Sequence, residues 1–189
     1  MVPKIRPAAT IYSLFEKDDR ATCHKLGLLY EALSNLRHEG KMHLGKNVIG
    51  IKALVVYFKK ELNSHMKEEE RSLFPFLCAH IPRLEPMVYL LLSEHEDLRK
   101  CLEILDKTLN EIHGTAGPRL GRIDKIYEQG TYLICLLRSH MRVESTSLYK
   151  AADEELRPAE KKELIRQIKR HGARVCDPSH RHHAISGVG

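Results

Sequence analysis

The chain has 189 residues, 42% hydrophobic and 30% charged, enough for one domain with a sizeable core, and this balance excludes a wholly disordered chain. Its formal charge of +6 and pI near 9.1 raise the question of an acidic partner, but the basic residues are mostly interleaved with Glu along helix faces, so no nucleic-acid partner is expected. Five widely spaced cysteines with no Cys-x-x-Cys pair fit a reducing compartment; with no signal-like apolar core and no run near the roughly 18 apolar residues of a membrane span, the expected location is the cytoplasm.

Tryptophan is absent and Leu, Lys, Glu and Arg dominate, which predicts an all-α protein. Residues 1–10, with Pro3 and Pro7, read as an extended lead-in. A first helix is predicted from residue 11 or 17 to residue 36, with Phe15, Thr22, Leu26, Leu29, Leu33 and Leu36 as its apolar stripe. Asp19 falls near that stripe, whereas His24 projects roughly opposite. After a loop at 41–46 the second helix spans residues 47–78, with Ile51, Leu54, Phe58, Leu62, His65, Glu69 and Phe76 inward and Pro75 near its end, where the missing amide can kink it.

The third helix is expected over residues 86–112, with Val88, Leu91, Leu92, His95, Leu98, Leu102, Leu105 and Leu109 on one side. Residues 114–118 break the chain. The fourth helix covers 119–154, with Ile126, Leu133, Leu136, Leu137, His140, Glu144 and Leu148 inward. A fifth, shorter helix starts at Arg157-Pro158 and runs to about residue 171, and residues 172–189 form an aperiodic tail containing His180, His182 and His183. The expected organisation is a four-helix bundle over 11–155, a C-terminal helix over 156–171 and a flexible tail.

Within this frame one constellation carries chemistry. His65 and Glu69 stand four residues apart on a core face, and His140 and Glu144 repeat the spacing; a four-residue step returns to nearly the same side of a helix, so each pair can hold one ion together. His95 adds a third inward imidazole. A buried carboxylate without compensation is costly, so Glu69 and Glu144 on apolar stripes require a partner, and a metal supplies one. Imidazole and carboxylate donors without a thiolate suit iron, manganese or zinc. Four amphipathic helices joined by short loops suit an up-down-up-down bundle, and such bundles build metal sites in their cores.

The pattern His65-x-x-x-Glu69-Glu70-x-x-Leu73-Phe74-Pro75, then Glu94-His95-x-x-Leu98-Arg99, then His140-x-x-x-Glu144-x-x-x-Leu148-Tyr149 resembles the hemerythrin-like, or HHE cation-binding, family over about residues 11–155. The resemblance implies a four-helix bundle around a non-haem di-iron centre that binds or senses oxygen, reacts with nitric oxide or peroxide, or handles iron. It places His65, Glu69, His95, His140 and Glu144 among the ligands. The chain departs from the oxygen-carrying members in having Arg99 where they carry a second third-helix His and Ser145 where they carry an Asp. It also has Asp19 at the first-helix position of a family His, so the first-helix ligand is Asp19 or, if the helix is shifted, His24.

The expected cofactor is therefore two non-haem iron ions, with haem held axially by inward His (His65, His95, His140) as the alternative and an incomplete or single-ion site as a third reading. The expected function is binding or sensing a small diatomic ligand, or reacting with peroxide, with iron buffering as a further alternative. The chain is expected to be a monomer or homodimer without nucleic-acid or membrane partners.

Overall fold

The computed structural model describes residues 10–39, 44–112 and 119–175, and these are helical throughout apart from short connections, with no strand among them. In chain order the helices are α1 (Ile11–Glu39), α2 (Leu44–Glu68), α3 (Phe74–His80), α4 (Glu85–Glu111), α5 (Arg119–Val143), α6 (Tyr149–Glu155) and α7 (Pro158–Val175). A π-helical turn, Glu69–Leu73, joins α2 to α3, and a second, Glu144–Leu148, joins α5 to α6. The predicted lead-in apart from Thr10 and most of the His-containing tail lie outside the described residues, as does the predicted break at 114–118.

The four long helices close a ring in which α1 borders α2 and α5, and α4 borders α2 and α5. Neighbours run antiparallel. Lys59 on α2 pairs with Asp106 on α4, while farther along α2 Asn63 meets Arg99, earlier on α4. On α1 and α5, Arg37 meets Asp124 and Leu33 lies over Gly130. Gly130 is there because the helices approach closely: a Cβ at this position would lie 2.5 Å from Leu33 Cδ1. The predicted up-down-up-down bundle is thus the observed fold.

The start of α1 is held in two ways. Thr10 Oγ1 accepts the Ser13 amide at 3.1 Å, and Asp153 on α6 accepts the Ile11 amide at 2.8 Å, a cap supplied from the far end of the chain. This fixes the first turns of α1, which carry Phe15 and Asp19, against α6. At the other end of the sequence, Glu160 accepts the Arg157 amide at 2.8 Å, as a helix-capping carboxylate does, and α7 lays Leu164 and Ile168 into the core beside Ile11, Phe15 and Leu73. Each such side chain contributes roughly 1.5–3 kcal/mol by leaving water. On the outer face of α7, Arg157 and Arg166 pair with Glu160 and Glu163.

The apolar interior falls into two clusters. One contains Leu26, Leu33, Phe58, Met66, Leu98 and Leu137, and the other Phe15, Phe74, Leu91, Leu148 and Leu164. The buried ionisable residues Glu69, His95, His140 and Glu144 each lie in sequence between members of the two clusters. The core is therefore interrupted by one polar layer, at the depth where the ion-binding pairs were expected.

Two predictions about the helices need correction. The second and fourth helices, predicted as continuous over 47–78 and 119–154, are each interrupted by the π turns. In these the Phe74 amide donates to Glu69 O and the Tyr149 amide to Glu144 O, five residues back, so that each turn holds an extra residue. Pro75, with no amide to give Arg71, helps to widen the first, but no proline stands near the second. What they share is that each begins at a buried Glu. Past the extra residue the inward face shifts by about one position, which buries the adjacent pairs Leu73-Phe74 and Leu148-Tyr149. In addition, α2 begins at Leu44, inside the predicted loop, and α7 extends beyond residue 171.

Candidate metal centre

Four buried residues, Glu69, His95, His140 and Glu144, bring one donor atom each within 4.8 Å of one another. They come from the two π turns, from α4 and from the end of α5. The imidazoles meet tip to tip, with His95 Nε2 3.1 Å from His140 Nε2. Glu144 Oε1 lies 3.0 Å from His140 Nε2, and Glu69 Oε2 lies 3.6 Å from His95 Nε2. Glu69 Oε2 and both oxygens of Glu144 have no hydrogen-bond partner although they are buried. Such orphaned acceptors cost free energy that a cation in their midst would recover.

Each imidazole is backed by a second carboxylate. His95 Nδ1 donates to Glu70 Oε1 at 2.8 Å, and His140 Nδ1 donates to Glu94 Oε2 at 2.8 Å. An ionised carboxylate only accepts, so these bonds put the Nδ1 protons in place and leave the two Nε2 atoms facing inward. Two Nε2 lone pairs 3.1 Å apart repel, so the pair calls for a positive charge between them, a proton or a metal ion. The electrostatics agree. Burial, and then the charge of the neighbouring His140, lowers the pKa of His95 to about 4. Burial also works against the charge on His140, but Glu144 and Glu94 overcome it and raise that pKa. In the absence of metal, His140 holds the proton.

Around this centre stand other sequence-predicted residues. His65 Nε2 lies 3.5 Å from Glu69 Oε1, and its ring sits edge-on to Phe15 with centroids 5.4 Å apart. It thus stands beside the four-residue cluster, at the inner end of a cleft of about 110 Å³ between α1 and α2, which Asp18, Glu61 and Glu68 also line. Asp19 is half-buried on α1, and its carboxyl is pushed up to about 7, first by burial and then by the negative charge of Glu144. His24 is exposed. The structure does not bring it to the centre, because α1 runs unbroken from Ile11 and keeps His24 on the outer side. Replacing Asp19 with Ala is therefore expected to change metal content, whereas His24→Ala leaves it at the wild-type level. Elemental analysis of the two variants checks this, and the reverse result would move the first-helix donor to His24.

Glu70, Glu94, Arg99 and Tyr149 enter the sequence analysis only through the family pattern, without a role of their own. Tyr149 donates its hydroxyl to Glu69 Oε1 at 2.6 Å while its ring stacks on Phe15 at 5.1 Å. Glu70 and Glu94 each adjoin a predicted ligand, so the signal was present in the Glu69-Glu70 and Glu94-His95 pairs. Helical phase alone turns each of them about 100° away from the inward residue beside it.

The carboxyl groups also set a pH dependence. Burial, and then the charge of Glu144, raises the Glu69 pKa well above the usual range, and Asp19 titrates near 7. Both must lose their protons to bind a cation. Metal affinity is therefore expected to rise from about pH 5 to pH 7, with protons released on binding. For the metal-free fold the sign is opposite. A carboxyl with a raised folded pKa contributes stability below its ordinary 3.8, and that contribution is lost as the pH climbs through about 7. Competition with a chelator at pH 5.5 and 7.5 tests this, and equal affinities would contradict it.

A helical bundle with a buried layer of imidazoles and carboxylates defines an all-α domain suited to holding metal ions. The chain matches the model of the family described as Hemerythrin HHE cation binding domain over residues 10–152, and it belongs to that family. A search of curated proteins gives no match. No helix among the described residues is long and apolar enough to cross a membrane.

Proposed function

We propose that this chain is a non-haem di-iron protein that binds or senses a small diatomic ligand, oxygen or nitric oxide, or reacts with peroxide. The observation that carries the reading is the set of orphaned carboxylate oxygens on Glu69 and Glu144 facing two imidazole tips, each imidazole being backed by its own carboxylate. Asp19 and His65 at the margin extend the donor set beyond what a single ion needs. Nitrogen and oxygen donors without a thiolate suit iron. When bound, iron supplies a redox-active Lewis acid with room for a small exogenous ligand.

The chain's own residues have definable tasks in this reading. Glu70 and Glu94 orient the imidazoles, Tyr149 holds Glu69 in place through its hydroxyl, and Phe15 and Phe74 keep the surroundings apolar. The acid-lined cleft that reaches His65 offers small solutes an approach. Haem, the alternative, fits less well. The two imidazole tips touch at 3.1 Å and His95 stacks on Phe74 with centroids 5.5 Å apart, which leaves no flat slot for a porphyrin between them.

Metal analysis combined with an optical spectrum, on protein purified without a His tag, tests the proposal. Two iron ions per chain with near-ultraviolet charge-transfer absorption that changes on exposure to oxygen, nitric oxide or peroxide would support it. A sharp Soret band, or a single redox-inert ion, would overturn it.

A further inference from the structure

Outside the donor set, Arg99 makes two side-chain hydrogen bonds near the centre. It stands one turn after His95 on α4, and its Nη2 donates to Glu70 Oε1 at 2.6 Å, the same oxygen that accepts His95 Nδ1–H at 2.8 Å. Its Nε donates to Asn63 Oδ1 on α2 at 3.2 Å. The guanidinium therefore spans two helices and presses the Glu70 carboxylate onto the imidazole. The counterpart is built differently: among the described residues Glu94, which backs His140, has no ion pair with a Lys or Arg.

We propose that Arg99 is a positioning residue that acts through Glu70: with Asn63 as its second anchor, it fixes His95 in the Nδ1–H tautomer with Nε2 turned to the centre, making the His95 side the rigid half of the site. The physical argument has three parts. Glu70 lies in a π turn, where the ladder of backbone bonds is locally rearranged, so an outside tether is needed to hold its side chain. A carboxylate held by a guanidinium that is itself anchored at a second point loses the freedom to rotate away from the ring that it backs. And Arg99 uses two different nitrogens on two different acceptors, which the single ammonium of Lys cannot reproduce.

The inference uses the metal-centre reading only for its affinity measurement; the tautomer of His95 is a property of the metal-free chain. Arg99→Met and Arg99→Lys in the full chain are the test, with nitrogen NMR of the imidazoles in the metal-free state and competition for cobalt(II) against a chelator as readouts. The wild type is expected to show His95 as the Nδ1–H tautomer. In Arg99→Met, His95 is expected to become a mixture while the ring signals of His140, backed by Glu94, stay as in the wild type. Affinity for cobalt(II) is expected to fall about 10–100-fold, the usual cost of losing an outer partner of a metal ligand, with Arg99→Lys in between. The melting temperature of the metal-free variants should stay close to wild type, since Arg99 and Glu70 are 32% and 25% exposed and such pairs add little stability.

Glu70→Gln supplies the second arm. If Arg99 acts through Glu70, adding Arg99→Met to Glu70→Gln costs much less than it does in the wild type. Unchanged His95 ring signals in Arg99→Met, or fully additive losses in the double variant, would overturn the proposal. If the wild type bound no metal, the function proposed above would fall, and the tautomer comparison alone would decide the role of Arg99.

Discussion

Glu144→Met combined with His140→Leu is expected to remove tight metal binding and, in the same protein, to raise the stability of the metal-free fold. Glu144 is buried with no hydrogen bond from outside the cluster, and its charge is balanced chiefly by His140, whose own proton is held there at a desolvation cost. A fold selected for stability alone would have no use for this arrangement. Replacing a buried ion pair with apolar groups of similar volume is commonly neutral to stabilising by about 1–4 kcal/mol. Met suits the test better than Ala, because Ala would add the cost of a cavity. Metal affinity, by contrast, should drop by more than the roughly 100-fold that loss of an outer partner can cost. Glu69→Met should also abolish binding, but it would orphan the Tyr149 hydroxyl, so its metal-free form is not expected to gain stability. Metal content and thermal melting with and without chelator measure both effects. Full occupancy in both cases would take these carboxylates out of the donor set, and a destabilised metal-free double variant would mean that the Glu144–His140 pair serves the fold.

The second large effect is on the wild type. Removing metal by chelation is expected to lower the melting temperature by about 5–15 °C. The donors come from both π turns, α4 and α5, so the unfolded chain has no equivalent site and binding acts on the folded state alone. At free metal of about 100 to 1,000 times Kd this amounts to roughly 2.7–4.1 kcal/mol, and for a chain of this size each kcal/mol moves the midpoint by about 2–4 °C. The effect should vanish in Glu144→Met combined with His140→Leu. An unchanged midpoint after verified removal of metal would mean that the centre does not join the helices energetically.

The apolar periodicity alone determined the architecture. Leu26, Leu29, Leu33 and Leu36 on α1, or Leu98, Leu102, Leu105 and Leu109 on α4, specify amphipathic helices whose apolar faces have one compact way to meet, and all eight are buried. The candidate centre was legible for the same reason: His95, His140, Glu69 and Glu144 interrupt those stripes in phase, and a polar residue in phase with a core stripe must end up inside. Asp19 and His24 could likewise be ordered from helical phase.

What the stripe could not determine was anything that depends on a break in the helical repeat or on contacts between helices. Apart from the contribution of Pro75 to the first, no local propensity marks the π turns at Glu69 and Glu144; they arise where a buried carboxylate must face the centre while the next stretch of helix packs its aromatic residue into the second core cluster. Neighbouring residues on one helix diverge by about 100°, so the sequence cannot tell that Glu70 and Glu94 reach across to imidazoles on other helices. Arg99 looked like a lost ligand because its role is set by Glu70 and Asn63 on the helix opposite. Side-chain phase is a property of one helix and can be read from a string of residues, whereas a hydrogen bond between helices depends on their register and separation, which only the packed bundle decides.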